Sequence, residues 1–396
     1  MRKIAFVIPW FGENIPGGAE MELRGLVTHL NEAGVKVEIL TTCVKDFNSN
    51  WNENYYKPGE ETILGVTVRR FKVRKRDEQK FAEVNAKLMR NEKISMQEEK
   101  IFCEEMVNST DLCEYIDKNQ ALYELFVFIP YMFGTTYYGC QVCPQKSVLI
   151  PCFHDESYAY FECFKTAFSR VAGMIFNAKP EMELANRLYN LESVEQIVLG
   201  VGLDTDIESN AKRFREKYQM NEPFILYAGR KDKGKNVDTL LQYFDEYKKR
   251  NANDMKLVLI GGGNIDIPED VSHDVIDLGF VDKQDKYDAC AAATLLCQPS
   301  HNESFSLVIM ESWLCQRPVL VSGACEVTKR FAIDTNGGLY FNNYFEFEGA
   351  VNYILQNEDT AIQMGENGCK YVKNHFAWDV IVKNCVTFFE NAAAQK

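Results

Sequence analysis

The chain of 396 residues carries 44 Lys and Arg against 57 Asp and Glu, a formal charge of −13, with 46% hydrophobic and 26% charged residues. That length supports two domains and an ample core, which excludes a disulfide-stapled mini-fold. The acidic balance argues against general nucleic-acid binding, and no apolar run is long enough to span a membrane. The apolar stretch from Ile4 to Pro9 is also too short for the core of a signal peptide. With 13 cysteines, an odd number spread over the whole chain, the sequence reads as cytosolic with reduced thiols. Cys140-Gln-Val-Cys143 has no second pair or nearby His at ligand spacing. Buried apolar cysteines are the plainer reading, and no metal site is expected.

Residues 3–9 form an apolar, β-branched run suited to a buried parallel strand. A loop rich in Gly and Pro follows over 10–18, and then a helix over 19–33 with Leu23, Leu26, Val27 and Leu30 on one face. Gly34 closes it, and 35–42 is the next strand, so the chain opens as a βαβ unit with a parallel sheet. Residues 69–76 hold six cations in eight positions (Arg69, Arg70, Lys72, Arg74, Lys75, Arg76) around Phe71 and Val73. They fit either a strand with a solvated basic face or a patch for an anionic lipid-linked acceptor or membrane surface. Residues 76–120 are polar and read as surface helices.

Strands resume over 125–130, 148–153, 174–177 and 195–201. The polar segment 205–222 marks a boundary between a first domain, 1–205, and a second, 206–375. The second series has strands over 224–228, 256–260, 275–278, 295–298 and 318–321, with a short one at 339–341 and a mostly helical tail from Ala350. Two consecutive β/α series imply two doubly wound domains, with ligands at the carboxyl ends of strands and a cleft between the domains as the default site.

Gly17-Gly18-Ala19-Glu20 lies between the first strand and helix, where backbone amides and the helix dipole suit an anion. The run is not a dinucleotide fingerprint, and a plain turn is the alternative. Gly229 to Asn236 follows the first strand of domain two, with Arg230 at the strand end and Lys235 expected to start the next helix. Two cations beside helix-start amides suit a diphosphate, and a solvated basic loop is the alternative. In Glu303-Ser304-Phe305-Ser306-Leu307-Val308-Ile309-Met310-Glu311 a helix is expected from Ser304. Its two acids would then stand about 12 Å apart, one able to meet a sugar and the other a ribose. Glu311, flanked by Met310 and Trp313-Leu314, reads as partly buried and in need of a partner. An acid satisfying the helix dipole plus a surface Glu is the alternative. His154-Asp155-Glu156 follows a strand and belongs to the ligand-facing edge of domain one, or is a surface histidine.

Taken in order, these pieces resemble the retaining nucleotide-sugar glycosyltransferases of the GT-B fold, the glycosyl transferases group 1, or family 4. The resemblance runs through Gly17-Gly18-Ala19-Glu20, His154-Asp155, Gly202-Leu203-Asp204, Gly229-Arg230 to Lys235-Asn236, Ile260-Gly261-Gly262-Gly263, Gly279-Phe280-Val281, Glu303 to Glu311, Arg317-Pro318-Val319 and Phe376-Ala377-Trp378. It implies two Rossmann-like domains facing a central cleft, with a last helix of about 376–396 packing back on the first domain. It implies that Arg230, Lys235 and the amides of Phe305, Ser306 and Leu307 hold the diphosphate. Glu311 would meet the ribose, Val281 the base, and Glu303 and His154 the donor sugar, while the Gly17-Gly18 loop closes on phosphate and acceptor.

The implied activity is transfer of a hexose from a UDP-, GDP- or ADP-sugar to a hydroxyl of a glycan or lipid-linked acceptor, with retention, without a metal or other cofactor. The implied site of action is the cytoplasm, at the inner membrane face if the basic run meets lipid. Ser306 stands where the family usually has Gly, Val201 where an Asn often precedes Gly-Val-Asp, and 76–120 has no family counterpart. A nucleotide-sugar epimerase or hydrolase of the same fold, and a non-catalytic partner subunit, are the alternatives. The four charged residues Arg230, Lys235, Glu303 and Glu311 argue against the second.

Overall fold

The computed structural model describes residues 2–394, which divide into two α/β units. One comprises the described residues up to Gly202 together with those from Trp378 onward, and the other spans Leu203–Ala377. The boundary thus falls between Gly202 and Leu203, shortly before the expected 205/206. Of the expected last helix, residues 378–394 are helical and 395–396 lie outside the described residues, as does Met1.

The first unit is built on eight strands: β1 (Lys3–Ile8), β2 (Val37–Thr42), β3 (Gly59–Ile63), β4 (Val66–Phe71), β5 (Tyr123–Phe128), β6 (Ser147–Leu149), β7 (Gly173–Phe176) and β8 (Glu195–Val198). They lie side by side in the order β3-β4-β2-β1-β5-β6-β7-β8, and only β3–β4 is antiparallel. The strands beside the centre are apolar and almost wholly buried, as a parallel sheet covered by helices on both faces requires. The order reverses between β1 and β5, so the loops after these two strands diverge and leave a crevice at their carboxyl ends.

Three expectations need correction here. The β3–β4 hairpin was not foreseen; it turns through Leu64 (φ 53°) and Gly65 (φ 73°), the backbone of a tight two-residue turn. The strand expected over 148–153 stops at Leu149; Pro151 has no N–H to extend the ladder, and Cys152, with a φ of 56°, then turns the chain. Residues 69–76 do not form a strand with a free basic face. β4 ends at Phe71, Arg69 pairs with Glu38 and Glu60, and the buried Arg70 pairs with Glu61 and donates to the Phe11 carbonyl.

The charged stretch does form helices, Glu78–Met89, Met96–Glu105 and Thr110–Asn119. Each is capped by a side chain, Asp77, Ser95 and Ser109 accepting from the backbone N–H of Lys80, Glu98 and Leu112. They are more than surface decoration, for Val84, Leu88, Phe102, Leu112 and Ile116 are buried in the core of the unit. The terminal helix Trp378–Ala394 buries Ile381, Cys385, Phe388 and Phe389 in the same unit. Phe389 meets Phe6 of β1 edge-on at 6.3 Å, and Trp378 stacks on His29 at 4.0 Å. Gly25 and Gly202 make room for that indole, since a Cβ at either would stand 2.5 or 2.2 Å from the ring. Cys140 and Cys143 are buried, and burial pushes the Cys143 thiol up to about 11.

The second unit has six parallel strands: β9 (Phe224–Ala228), β10 (Lys256–Ile260), β11 (Val275–Gly279), β12 (Leu295–Gln298), β13 (Val319–Ser322) and β14 (Gly338–Phe341). Their order is β11-β10-β9-β12-β13-β14, which reverses between β9 and β12. Among the described residues no helix is long and apolar enough to cross a membrane.

Candidate functional site

In the second unit the loops that leave β9, β10 and β11 are joined to one another. Gly229 N donates to Ile260 O at 2.8 Å, Lys231 N to Gly262 O at 2.7 Å and Gly261 N to Gly279 O at 2.8 Å. The fit admits no side chain at Gly261, whose φ is 126° and whose Cβ would stand 2.0 Å from Gly229 O. This cradle continues the sheet beyond its strands and fixes where Arg230, Lys231 and Val281 begin.

Across the reversal of strand order, the loop after β9 is tied to the loop after β12. Lys235 Nζ donates to Glu303 Oε1 at 2.7 Å, and both side chains are largely buried. Asn236 Nδ2 lies 3.2 Å from Pro299 O, to which it donates, and 3.0 Å from His301 Nε2. Lys235 does not start the next helix as expected. It ends a single turn, Lys233–Lys235, Asn236 adopts a left-handed φ of 57°, and the helix begins at Val237. Asp232 accepts from Lys235 N, which holds this turn in place.

The two cations of this loop differ. Arg230 is an exposed guanidinium, 73% accessible, 3.5 Å from Asp232. Its carbonyl accepts from the Tyr227 hydroxyl at 2.6 Å, so its backbone is held while its head stays exposed beside Asp232. Lys231, passed over in the sequence, is buried, and its Nζ sits 2.5 and 2.7 Å from the two oxygens of Asp277.

The segment Glu303–Ser306 is a loop, and the helix runs Leu307–Leu314 rather than starting at Ser304. The cause is Ser306, whose φ of 77° turns the chain sharply into the helix. Phe305 is packed into an aromatic cluster with Phe331 and Phe376, leaving only its backbone for a ligand. The amides of Leu307 and Val308 at the helix start have no intrahelical acceptor, while Ile309 N donates to Ser306 O at 3.2 Å. Glu311 is buried as expected, and its partner is Lys286, whose Nζ donates to Oε1 at 2.6 Å. Its other oxygen, Oε2, is buried without a hydrogen-bond partner. Sequence reasoning missed Lys286, which stands on the separate helix Lys283–Ala292 with no local pattern to point at it. Val281 is half-buried beside Phe280, whose ring is 86% exposed and lies against Gly262.

The first-unit residues sit in two places. His154 follows the carboxyl end of β6 by an irregular segment, partly exposed, with Nδ1 3.5 Å from Glu156 Oε1. Gly17 caps the helix Gly18–Glu32 with a φ of 144°. A Cβ there would stand 1.9 Å from Glu20 Oε2, so the Glu20 carboxyl lies over this glycine, held by a bond from Trp10 Nε1. Burial raises the pKa of that carboxyl above the usual range.

Residues 208–371 match the family model described as "Glycosyl transferases group 1". An uncharacterized glycosyltransferase of Methanocaldococcus jannaschii is 28% identical over 182 residues, 44% of this chain and 46% of that protein. D-inositol 3-phosphate glycosyltransferase of Xylanimonas cellulosilytica is 25% identical over 228 residues, 52% of this chain and 54% of its own length. The chain thus spans about half the length of the curated relatives it matches. Sucrose-phosphate synthase from Thermosynechococcus elongatus superposes with a TM-score of 0.71 at 17% identity, covering 100% of both chains. HepE of Anabaena, in complex with UDP-glucose, does so with a TM-score of 0.67 at 15% identity, covering 98% of this chain and 100% of that one. The fold is therefore GT-B, two Rossmann-like α/β units in one chain.

Proposed function

We propose that the chain is a glycosyltransferase that moves a hexose from a nucleoside-diphosphate sugar to a hydroxyl of a glycan or lipid-linked acceptor, with retention of configuration. The observation that carries this reading is the Lys235–Glu303 pair at the point where strand order reverses, together with the buried Glu311, one oxygen of which has no hydrogen-bond partner among the described residues. A buried carboxylate oxygen without a donor is costly, and a ribose hydroxyl supplies the missing bond. The family match over 208–371 and the solved structure with UDP-glucose support a nucleotide-sugar donor.

In this reading Lys235 is held by Glu303 until phosphate oxygens arrive. The diphosphate then takes the ammonium, joined by Arg230 and the amides from Phe305 to Leu307, and Glu303 is released to the sugar hydroxyls. Departure of the diphosphate builds negative charge where these groups are already fixed, which is how preorganised cations lower a barrier. The anomeric carbon becomes oxocarbenium-like, and a departing phosphate oxygen accepts the proton of the attacking acceptor hydroxyl. Val281 is assigned to the base, and the roles proposed for the first unit are the donor sugar for His154 and the acceptor for the Gly17-Gly18 loop. An epimerase or hydrolase is not favoured by any observation.

A panel of UDP-, GDP- and ADP-sugars, read by thermal shift and then by product NMR, tests this. One nucleotide class is expected to stabilise the protein, and the product's anomeric coupling is expected to keep the donor's configuration. No stabilisation by any nucleotide, or an inverted product, would reject the reading.

A further inference from the structure

The basic run 69–76 contains one arginine unlike the others. Arg69, Arg70 and Arg74 are each paired with glutamates. Among the described residues no ion pair is made by the Arg76 guanidinium, and its Nε is buried without a hydrogen-bond partner. The guanidinium carbon lies 4.8 Å from the Trp51 ring centre and 4.3 Å from that of Phe81, and these two centres are 6.4 Å apart, so the rings flank the cation at about a right angle. Aromatic rings hold a guanidinium without using up its hydrogen-bond donors, and its planar fork of N–H groups can grip an oxyanion through two parallel bonds. Burial pulls the Arg76 pKa down, and the nearby carboxylates of Glu78 and Glu105 only partly offset it.

The surroundings have room for a ligand. Arg76 lines a cavity of 740 Å³ together with Arg74, Lys75 and Lys80, and a second of 400 Å³ with Trp51 and Phe81. Three acids, Asp77, Glu104 and Glu105, also line the larger cavity, and Glu78, which accepts from Asn52 Nδ2 at 2.7 Å, lines the smaller. Glu105 is bound by Arg74 and by Asp77 N, each at 2.7 Å, and Asp77 caps the next helix through Lys80 N. Lys75 is exposed, and Lys80 sits 3.3 Å from Asp77.

The place in the fold agrees. Trp51 follows β2 and Arg76 follows β4, both at carboxyl ends of the parallel strands. Trp51 stacks on Trp10, which follows β1, at 6.0 Å, and Trp10 meets Phe133, which follows β5, at 5.1 Å. The aromatic group therefore bridges the reversal point of the first sheet, where doubly wound sheets take ligands.

We propose that Arg76 is the seat of an oxyanion-binding site in the first unit, taking the phosphate or carboxylate group of a sugar-sized ligand. That this ligand is the acceptor rests on the glycosyl-transfer reading; the site itself does not.

Calorimetry of the whole chain with inorganic phosphate, glucose 6-phosphate, glucuronate and neutral glucose tests it, beside a titration with UDP. The anionic probes are expected to bind and glucose not. Arg76→Gln is expected to weaken them by about tenfold or more, as for a lost charge-assisted pair, with nucleotide affinity unchanged. Preference for glucose 6-phosphate assigns a phosphate ester, and preference for glucuronate assigns a carboxylate. Should Arg76→Gln not fold, Arg76→Lys keeps the charge without the planar fork, and Lys75→Gln removes a neighbouring charge. Each is expected to lower affinity for the anions. Failure of all three anions to bind the unaltered chain at millimolar concentration, or unaltered affinity in every folded variant, would overturn the site. Loss of UDP binding alone would count against the transferase reading and leave this one standing.

Discussion

Lys235 and Glu303 neutralise one another across the strand reversal, and that pairing shapes what each substitution should do. In the proposed transfer, Lys235→Ala removes a cation from the leaving-group position and is expected to lower turnover by about 10²–10³, the loss typical of one transition-state charge stabiliser. Glu303→Gln frees Lys235 from its competing carboxylate. It should bind free nucleoside diphosphate several-fold more tightly while transferring sugar far more slowly. Calorimetry with UDP, set beside initial rates, separates the two effects; equal loss of both in Glu303→Gln would show the pair to be only structural. The charged residues of this site were legible because they stand just after strands that announce themselves as apolar runs. Lys286 was not, because its bond to Glu311 joins two helices 25 residues apart and leaves no spacing pattern. Lys231 was passed over because burial, not sequence, distinguishes it from Arg230.

The strands of the second unit read almost residue for residue, since a strand covered on both faces has no polar side and stands out from its neighbours. The elements that escaped notice depend on left-handed backbone at unexpected residues. Ser306 delays the helix that an apolar periodicity extends to Ser304. Leu64 occupies the first turn position of the β3–β4 hairpin, where Asn or Gly is the usual signal. Leu64 is 39% exposed, so the side chain contributes little packing to offset its strained backbone. Leu64→Asn is therefore expected to stabilise the chain by about 0.5–1 kcal/mol, since Asn tolerates this region better. Chemical denaturation with an unchanged slope would register the gain, and a loss would mean that Leu64 packs better than its exposure suggests.

Over the whole molecule, the pH dependence of stability has an identifiable source. Glu22 and Glu181 are buried in the first unit, and burial pushes both up to about 8. Glu22 accepts from Asn177, and Glu181 accepts from the backbone N–H groups of Phe153 and Asn177, but these bonds do not outweigh desolvation. Between the ordinary carboxylate pKa and about 8, the folded chain keeps protons that the unfolded chain has lost. Stability is then greatest below that window and falls as pH rises through it. Glu22→Gln, which imitates the protonated form, is expected to flatten this decline. Melting curves at pH 5 and pH 8.5 measure it, and an undiminished slope in the variant would assign the decline to other groups.

The passage of the chain out of the first unit at Gly202 and back at Trp378 also decides how the molecule bears tension. A pull applied through Lys3 and Ala394 acts on β1 and on the terminal helix, which are parts of the same unit. The two ends of the second unit, Leu203 and Ala377, are bridged to one another, and along the backbone the pull does not reach Ala377 while the terminal helix stays seated. Its release, with Trp378 leaving His29 and Phe389 leaving Phe6, is the event that first exposes the second unit to force.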